Sequence, residues 1–398
     1  MARDVVLFLS GISGCCLLDR PTGKITWGRP GYLLGWRNYY ISQRPFRPGE
    51  EDRTTCGPVI DFVWLCRPLG LKIPFYEKCF RVLRERAGRR QGDIALPSTD
   101  RDFYPWPYDW RQSLVHTAQC LDRTVERLIE LHQDPDLKIT LVCHSSGGLA
   151  ARYWWAYGAR DVLGDDNPPP PHFPRRRNLG RLIHVGVPNR GTIKILCDLT
   201  RGINPLPLSR RYWPDFLFSM PSLYETFPFE TAGRFVDERD EELTVDLFDI
   251  EEHYRRRLGL FTLYPKMMDD ADVRSYLSET LPRARRFQEA LRHPWPDEII
   301  DTVHIVSGKS FETLRRVRLT PQGVDLRRVE EFTRKRLWEE GSSDANPWVE
   351  RGDWFASDES LTGLAHRPGH RHEAHCVHRH LFSDPEAQRS LVKALVGD

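Results

Sequence analysis

The chain has 398 residues, enough for one large α/β domain with insertions or for two ordinary domains, and for a sizeable core. Its 58 basic and 56 acidic side chains leave a formal charge of +2, so no global field favours nucleic acid or an anionic membrane, and nucleic-acid binding is disfavoured as its main task. A hydrophobic content of 40% with 29% charged residues excludes a disordered or fibrous chain.

Residues 5–9 (VVLFL) form a continuous apolar run, as expected of a parallel strand covered on both faces, and Gly11 and Gly14 then break it. The wider stretch 5–18 (VVLFLSGISGCCLL) imitates a secretory leader, and Ile12-Ser13-Gly14-Cys15 imitates a lipoprotein cleavage site. Asp4 beside Arg3, and an apolar block shorter than the ~7–15 residues of a leader core, argue instead for a buried first strand. No run approaches the ~20 apolar residues of a membrane-spanning helix. The cysteines lie at positions 15, 16, 56, 66, 79, 120, 143, 197 and 376, with no C-x-x-C pair. Free thiols in a reducing, cytoplasmic setting are therefore expected. A local clip among Cys56, Cys66 and Cys79 is the alternative for an exported chain.

Residues 19–108 are rich in Pro, Gly and Trp. They are read as an irregular insertion with a short strand or two and a helix near 76–86. In 113–132, Leu114, Ala118, Leu121, Val125, Leu128 and Ile129 recur with a 3.6-residue period, which predicts an amphipathic helix. A strand at 138–143 (KITLVC) and a helix at 147–157 follow, then a Pro-rich surface loop at 164–178 and a buried strand at 181–187. Between 200 and 292 strand patterning fades into aromatic-rich pieces in which Trp213, Phe216, Leu217, Phe218 and Met220 read as exposed. A strand at 302–307 and a closing helix at 385–396 complete the chain. This order predicts an α/β fold: a doubly wound, mostly parallel central sheet with helices on both faces, interrupted by an inserted cap. The expected division is a core over 1–199 with its insertion at about 19–100, a cap over 200–297, and the rest of the core over 298–398.

The octet Leu141-Val142-Cys143-His144-Ser145-Ser146-Gly147-Gly148 matches small-x-Ser-x-Gly between a strand and a helix, the context in which such a serine is a nucleophile. Residues two before and two after the serine must be small; Gly147 meets this fully, and Cys143 replaces the usual glycine. The turn lifts Ser145 to a helix start, where free N–H groups favour developing negative charge. A serine hydroxyl needs a base, and the base a carboxylate. The order Ser, acid, His leaves Asp353 or Asp358 as the acid. The candidate bases are His366, His370, His372, His375, His378 and His380. That tract is read as a solvated His-rich loop containing one catalytic member; a metal site through His372, His375, Cys376, His378 and His380 is the competing reading, but its spacing is not that of a known zinc site.

These residues resemble the lecithin:cholesterol acyltransferase-like family of α/β-hydrolases, which includes the lysosomal phospholipase A2 and phospholipid:diacylglycerol acyltransferase types. The resemblance is carried by 5–18, with Ser10 where proline is usual, and by 104–111 (YPWPYDWR) and 139–153 (ITLVCHSSGGLAARY). It continues through 185–192 (VGVPNRGT), 220–228 (MPSLYETFP) and 247–255 (LFDIEEHYR). Gly352-Asp353 resembles the start of the family's Gly-Asp-Gly-Thr-Val-Pro string, although this chain continues Trp-Phe-Ala-Ser. The match implies Asp353 as acid, His378 as base, and the backbone N–H groups of Ile12 and Ser146 as the oxyanion hole. It implies no cofactor and no metal.

The expected function is a serine-dependent lipase, phospholipase or O-acyltransferase acting on a lipid or other ester. The Arg clusters at 175–177, 255–257 and 327–336 are read as solvated faces that also suit peripheral contact with lipid headgroups. A catalytically silent binding protein on the same fold is the alternative, kept open by Cys143 and the altered acid loop. A metal-dependent hydrolase is the third.

Overall fold

The computed structural model describes residues 4–34, 37–66, 68–164, 167–204, 211–331, 336–339, 346–364 and 370–396. Six segments form one sheet: β1 (Asp4–Leu9), β2 (Phe103–Trp106), β3 (Lys138–His144), β4 (Leu179–Val185), β5 (Val303–Gly308) and β6 (Arg371–Ala374). Their order across the sheet is β6-β5-β4-β3-β1-β2, and every neighbouring pair is parallel. The central β1 and β3 are buried almost end to end, which is why both read as unbroken apolar runs. The chain lays β2 outside β1, then returns to the other side of β1 for β3 and works outward. That reversal puts the switch point of the sheet order at the carboxyl ends of β1 and β3, the place at which open α/β sheets bind their ligands.

Five longer helices accompany the sheet: α1 (Glu77–Glu85), α2 (Leu114–His132), α3 (Ser146–Tyr157), α4 (Ala271–Arg292) and α5 (Pro385–Val396). Ser113 Oγ caps α2 by accepting from the Val115 amide, and Gln133 in a left-handed conformation ends it. Every residue of α3 is buried, so its sequence is apolar, aromatic or small except for Arg152, whose guanidinium donates to the Asn189 and Leu291 carbonyl oxygens. A Cβ at Gly148 would lie 2.2 Å from Val187 Cγ2, so α3 meets the loop after β4 only because that position is glycine.

Three regions differ from expectation. The 19–108 insertion is more ordered: Ile25–Trp27, Cys15–Asp19 and Thr54–Val59 form an antiparallel sheet, and Phe62–Cys66 pairs with Leu71–Pro74 as a hairpin. Strands this short, interrupted by Pro and Gly, leave too few alternating positions to register as a period. The His-rich tract is not simply a solvated loop, since it contains the edge strand β6. The aromatic segment after residue 212 is packed: Phe216, Leu217, Phe218 and Met220 are buried and only Trp213 stays exposed. Phe216 meets Trp27, Tyr39 and Tyr212, while Phe218 meets Phe46 and Tyr276, so these rings bind the 200–297 segment to the insertion.

All nine cysteines are free thiols, Cys56, Cys66 and Cys79 among them. No described helix is long and apolar enough to cross a membrane.

Candidate active site

Ser145 links β3 to α3 with φ 53° and ψ −133°, a backbone state that costs a non-glycine residue on the order of 1–3 kcal/mol. Close packing around it maintains the strain. A Cβ at Gly147 would lie 2.2 Å from the Ser10 carbonyl oxygen, and one at Gly11 would lie 2.8 Å from Ser145 Cβ. Cys143 is tolerated because it ends inside the buried strand, where desolvation pushes its thiol pKa well up and keeps it inert.

His378 follows β6 and opens the short 3₁₀ segment His378–Ser383. Its Nε2 stands 3.0 Å from Ser145 Oγ and its Nδ1 2.7 Å from Asp353 Oδ2. The His378 amide also donates to the Asp353 carbonyl oxygen at 3.0 Å, fixing the two loops to each other. Asp353 is fully buried after the strand Val349–Gly352. Its second oxygen, Oδ1, accepts from the amides of Phe355 and Ala356 at 3.0 and 2.9 Å, so both carboxylate oxygens are engaged. Trp354, where the resembling string has glycine, holds φ +76°. Its amide donates to Thr313 Oγ1 at 2.9 Å, which secures that turn without a glycine.

The other candidates go elsewhere. Asp358 heads the helix Asp358–Thr362, capped by Ser357. His375 Nδ1 pairs with Ser310 Oγ at 2.6 Å. His370 and His372 stack on His304, with ring centroids 4.4 and 6.0 Å away. His366 lies outside the described residues. Among the described residues no group of three or more His, Cys, Asp and Glu side chains is arranged to hold a metal ion.

The turn at residues 11–14 is closed by a Gly14 amide to Gly11 carbonyl bond of 3.0 Å. The string at 104–111 supports it from behind. Tyr108 Oη donates to the Ser10 carbonyl at 2.6 Å and the Trp110 indole N–H to the Cys15 carbonyl at 3.0 Å. Arg111, wholly buried, pairs with both Asp52 and Asp109, fastening the same string to the insertion. No hydrogen bond among the described residues takes the amide of Ser146, which follows the serine, or that of Ile12, which follows Gly11.

Several site residues had no role assigned from the sequence. Gly186 directly follows β4, and Gly308 ends β5. A Cβ at Gly186 would lie 3.1 Å from His378 Nδ1, and one at Gly308 would lie 2.9 Å from Asp353 Cβ. Phe355 lies over the imidazole with ring centroids 4.5 Å apart. Behind Trp354, residues including Lys194, Arg201, Arg328 and Trp348 line a cleft of about 110 Å³ that includes neither Ser145 nor His378. His144 stands 5.0 Å from the His378 ring, and burial together with that neighbour depresses its pKa to about 3.

Burial likewise takes His184, in β4, to about 3. Both histidines fold neutral and regain a proton on unfolding, so their contribution is complete above the unfolded pKa of about 6.5 and is lost as pH falls toward 3. Buried Glu225 works in the opposite sense, because desolvation raises its carboxyl to about 7 and its contribution is lost as pH rises through that value. Between pH 7 and pH 5 the two histidines cost about 4 kcal/mol and Glu225 returns about half of that. Denaturant titrations should therefore show a loss between pH 7 and pH 5 that is larger in Glu225→Gln than in the wild-type protein, by about 2 kcal/mol. Equal losses in the two proteins would contradict this assignment.

The parallel sheet, the strand–serine–helix turn and the inserted segment define an α/β-hydrolase fold. No family model matches the chain, and no curated protein matches it. Among solved structures it is similar to a chain of the crystal structure of the Tle4-Tli4 complex, with 14% identity, a TM-score of 0.54 and 100% of both chains covered. That likeness is one of fold.

Proposed function

We propose that the protein is a serine-dependent ester hydrolase or O-acyltransferase that acts on lipid esters through an acyl-serine intermediate. The observation that carries this reading is the continuous hydrogen-bonded chain Asp353–His378–Ser145 at the strained turn after β3. With Asp353 holding its Nδ1 proton, His378 presents a bare Nε2 and takes the Ser145 proton as Oγ attacks the ester carbonyl. The carbonyl oxygen gains the negative charge between the amides of Ile12 and Ser146, each donor worth about 2.7–4 kcal/mol to the transition state. Collapse breaks the ester C–O bond, and His378 gives its proton to the departing alcohol. Water or a second alcohol then loses its proton to His378 and attacks the acyl carbonyl, and the proton returns to Ser145 as the product leaves.

The lipid character of the substrate is supported by the resemblance to the lecithin:cholesterol acyltransferase-like family, and peripheral membrane contact belongs to the same proposal. Leu65, Leu69 and Leu71 are exposed together on the hairpin of Phe62–Cys66 and Leu71–Pro74. The stretch 62–74 carries Arg67 and Lys72 and no acidic residue. Its base is pinned where the Phe75 and Tyr76 amides donate to the Asp61 carbonyl oxygen, next to the serine turn. Exposed apolar tips suit the interface of a bilayer, and the Lys72 ammonium beside them is paired with Glu77. Leu69→Glu with Leu71→Glu should lower partitioning onto phosphatidylcholine–phosphatidylserine vesicles by about tenfold or more, leaving turnover of a soluble short-chain ester unchanged. Unaltered vesicle binding would remove the hairpin from the proposal.

Mass spectrometry of lipid products, with and without an added alcohol acceptor, tests the function itself. Free fatty acid alone identifies a hydrolase, and a new ester of the added alcohol identifies a transferase. No product from any lipid ester, with Ser145 inert to a fluorophosphonate, would favour the binding protein.

A further inference from the structure

Beside the serine runs a second hydrogen-bonded chain, which meets the Asp–His–Ser set only at the His378 carbonyl oxygen. The Gly11 amide donates to Tyr76 Oη at 3.0 Å, and Tyr76 Oη lies 3.0 Å from His144 Nδ1. His144 Nε2 faces the His378 carbonyl oxygen at 3.5 Å. Tyr76 and His144 are both buried. Counting donors settles the tautomer. Tyr76 Oη already accepts from Gly11, so its own proton needs an acceptor, and a buried hydroxyl left without one costs about 1–3 kcal/mol. His144 Nδ1 is that acceptor, which puts the imidazole proton on Nε2, toward the His378 carbonyl. Burial raises the Tyr76 hydroxyl pKa and depresses that of His144, so both groups stay neutral throughout turnover and add no charge beside an imidazolium at position 378.

The geometry points to Tyr76 and His144 as positioning residues that set the oxyanion turn, an inference that rests on the serine-nucleophile reading above. Gly11 abuts Ser145 closely enough that a Cβ on it would lie 2.8 Å from the serine Cβ. Holding the Gly11 amide away from the substrate leaves the next amide, that of Ile12, as the one free to meet the developing oxyanion. Tyr76 also begins the link to α1 and packs its ring edge-on against Phe8 of β1, so it ties that amide to the rigid sheet. His144 then couples the turn to the backbone of the His378 loop, and its ring packs on Phe382 of that loop. Neither residue touches the reacting atoms, and both act through the placement of groups that do.

The test is the rate at which a fluorophosphonate modifies Ser145, because the phosphonyl oxygen must enter the oxyanion hole during capture. Tyr76→Phe should slow labelling about 10- to 100-fold, the cost of misplacing one donor by a fraction of an ångström to an ångström. Turnover should show the same loss in kcat with KM nearly unchanged. His144→Leu should fall in the same range. His144→Asn, whose Oδ1 occupies the place of Nδ1 and accepts the Tyr76 proton, should recover to within about fivefold of wild type. The double variant Tyr76→Phe with His144→Leu should be little slower than either single change, because the two belong to one chain. Wild-type labelling rates in Tyr76→Phe, no recovery in His144→Asn, or additive losses would each overturn the inference. If Tyr76→Phe fails to fold, the His144→Leu and His144→Asn pair decides alone. Absence of labelling in the wild-type protein refutes instead the nucleophile reading on which this rests.

Discussion

Ser145→Ala is expected to lower ester turnover about a millionfold, to the level left by binding and the oxyanion hole alone, with the folded state unharmed. The size follows from the loss of the covalent route: among the described residues no other hydroxyl hydrogen-bonds to His378 Nε2, which stands 3.0 Å from Ser145 Oγ. Ser145 is also strained, with φ 53°, and alanine relieves none of that, so its thermal midpoint should stay close to that of the wild type. Steady-state kinetics on a chromogenic ester and a melting curve check both halves. Substantial remaining turnover would move the chemistry to another residue.

Asp353→Asn is expected to cost about 10⁴-fold in kcat with little change in substrate binding. Asp353 Oδ2 accepts the His378 Nδ1 proton at 2.7 Å, and an amide that donates at that place turns the imidazole to the tautomer that cannot take the serine proton. The same substitution at Asp358, which heads a separate helix, should change kcat less than about twofold. Kinetics on the two variants in parallel decide between the carboxylates that the sequence offered. A larger effect at Asp358 would contradict the geometry.

How much of this was legible in the chain depended on how local each feature is. β1 and β3 announce themselves because parallel strands covered on both faces must be apolar at every position. α2 shows its stripe and its Ser113 cap, and α5 begins at Pro385 as the sequence suggests. α4 was hidden although Val273, Leu277, Leu281, Ala284 and Leu291 face inward, because arginines and Pro282 interrupt the pattern. β6 was hidden for a chemical reason. His370 and His372 stack there on His304, whose pKa burial and those neighbours lower to about 4, yet imidazoles read as polar.

The site divides in the same way. Ser145 was legible because its turn is local: strand, small residues and helix lie within one octet. Asp353 and His378 came only through a family resemblance, since loops distant in sequence meet here through the sheet order. Gly308 and Tyr76 left no trace, and Gly186 and His144 stood inside motif strings without a role of their own, because close approach between separate strand ends has no pattern along one segment. The departure at Trp354 looked more damaging in the sequence than it is in the fold, where Thr313 holds the left-handed turn.

Peptide mapping of the fluorophosphonate-treated protein by mass spectrometry tests the central claim most directly. The account predicts a single adduct on Ser145, lost in Ser145→Ala and formed far more slowly in His378→Ala. An adduct on another side chain, or ester turnover that survives with Ser145 unmodified, would contradict it.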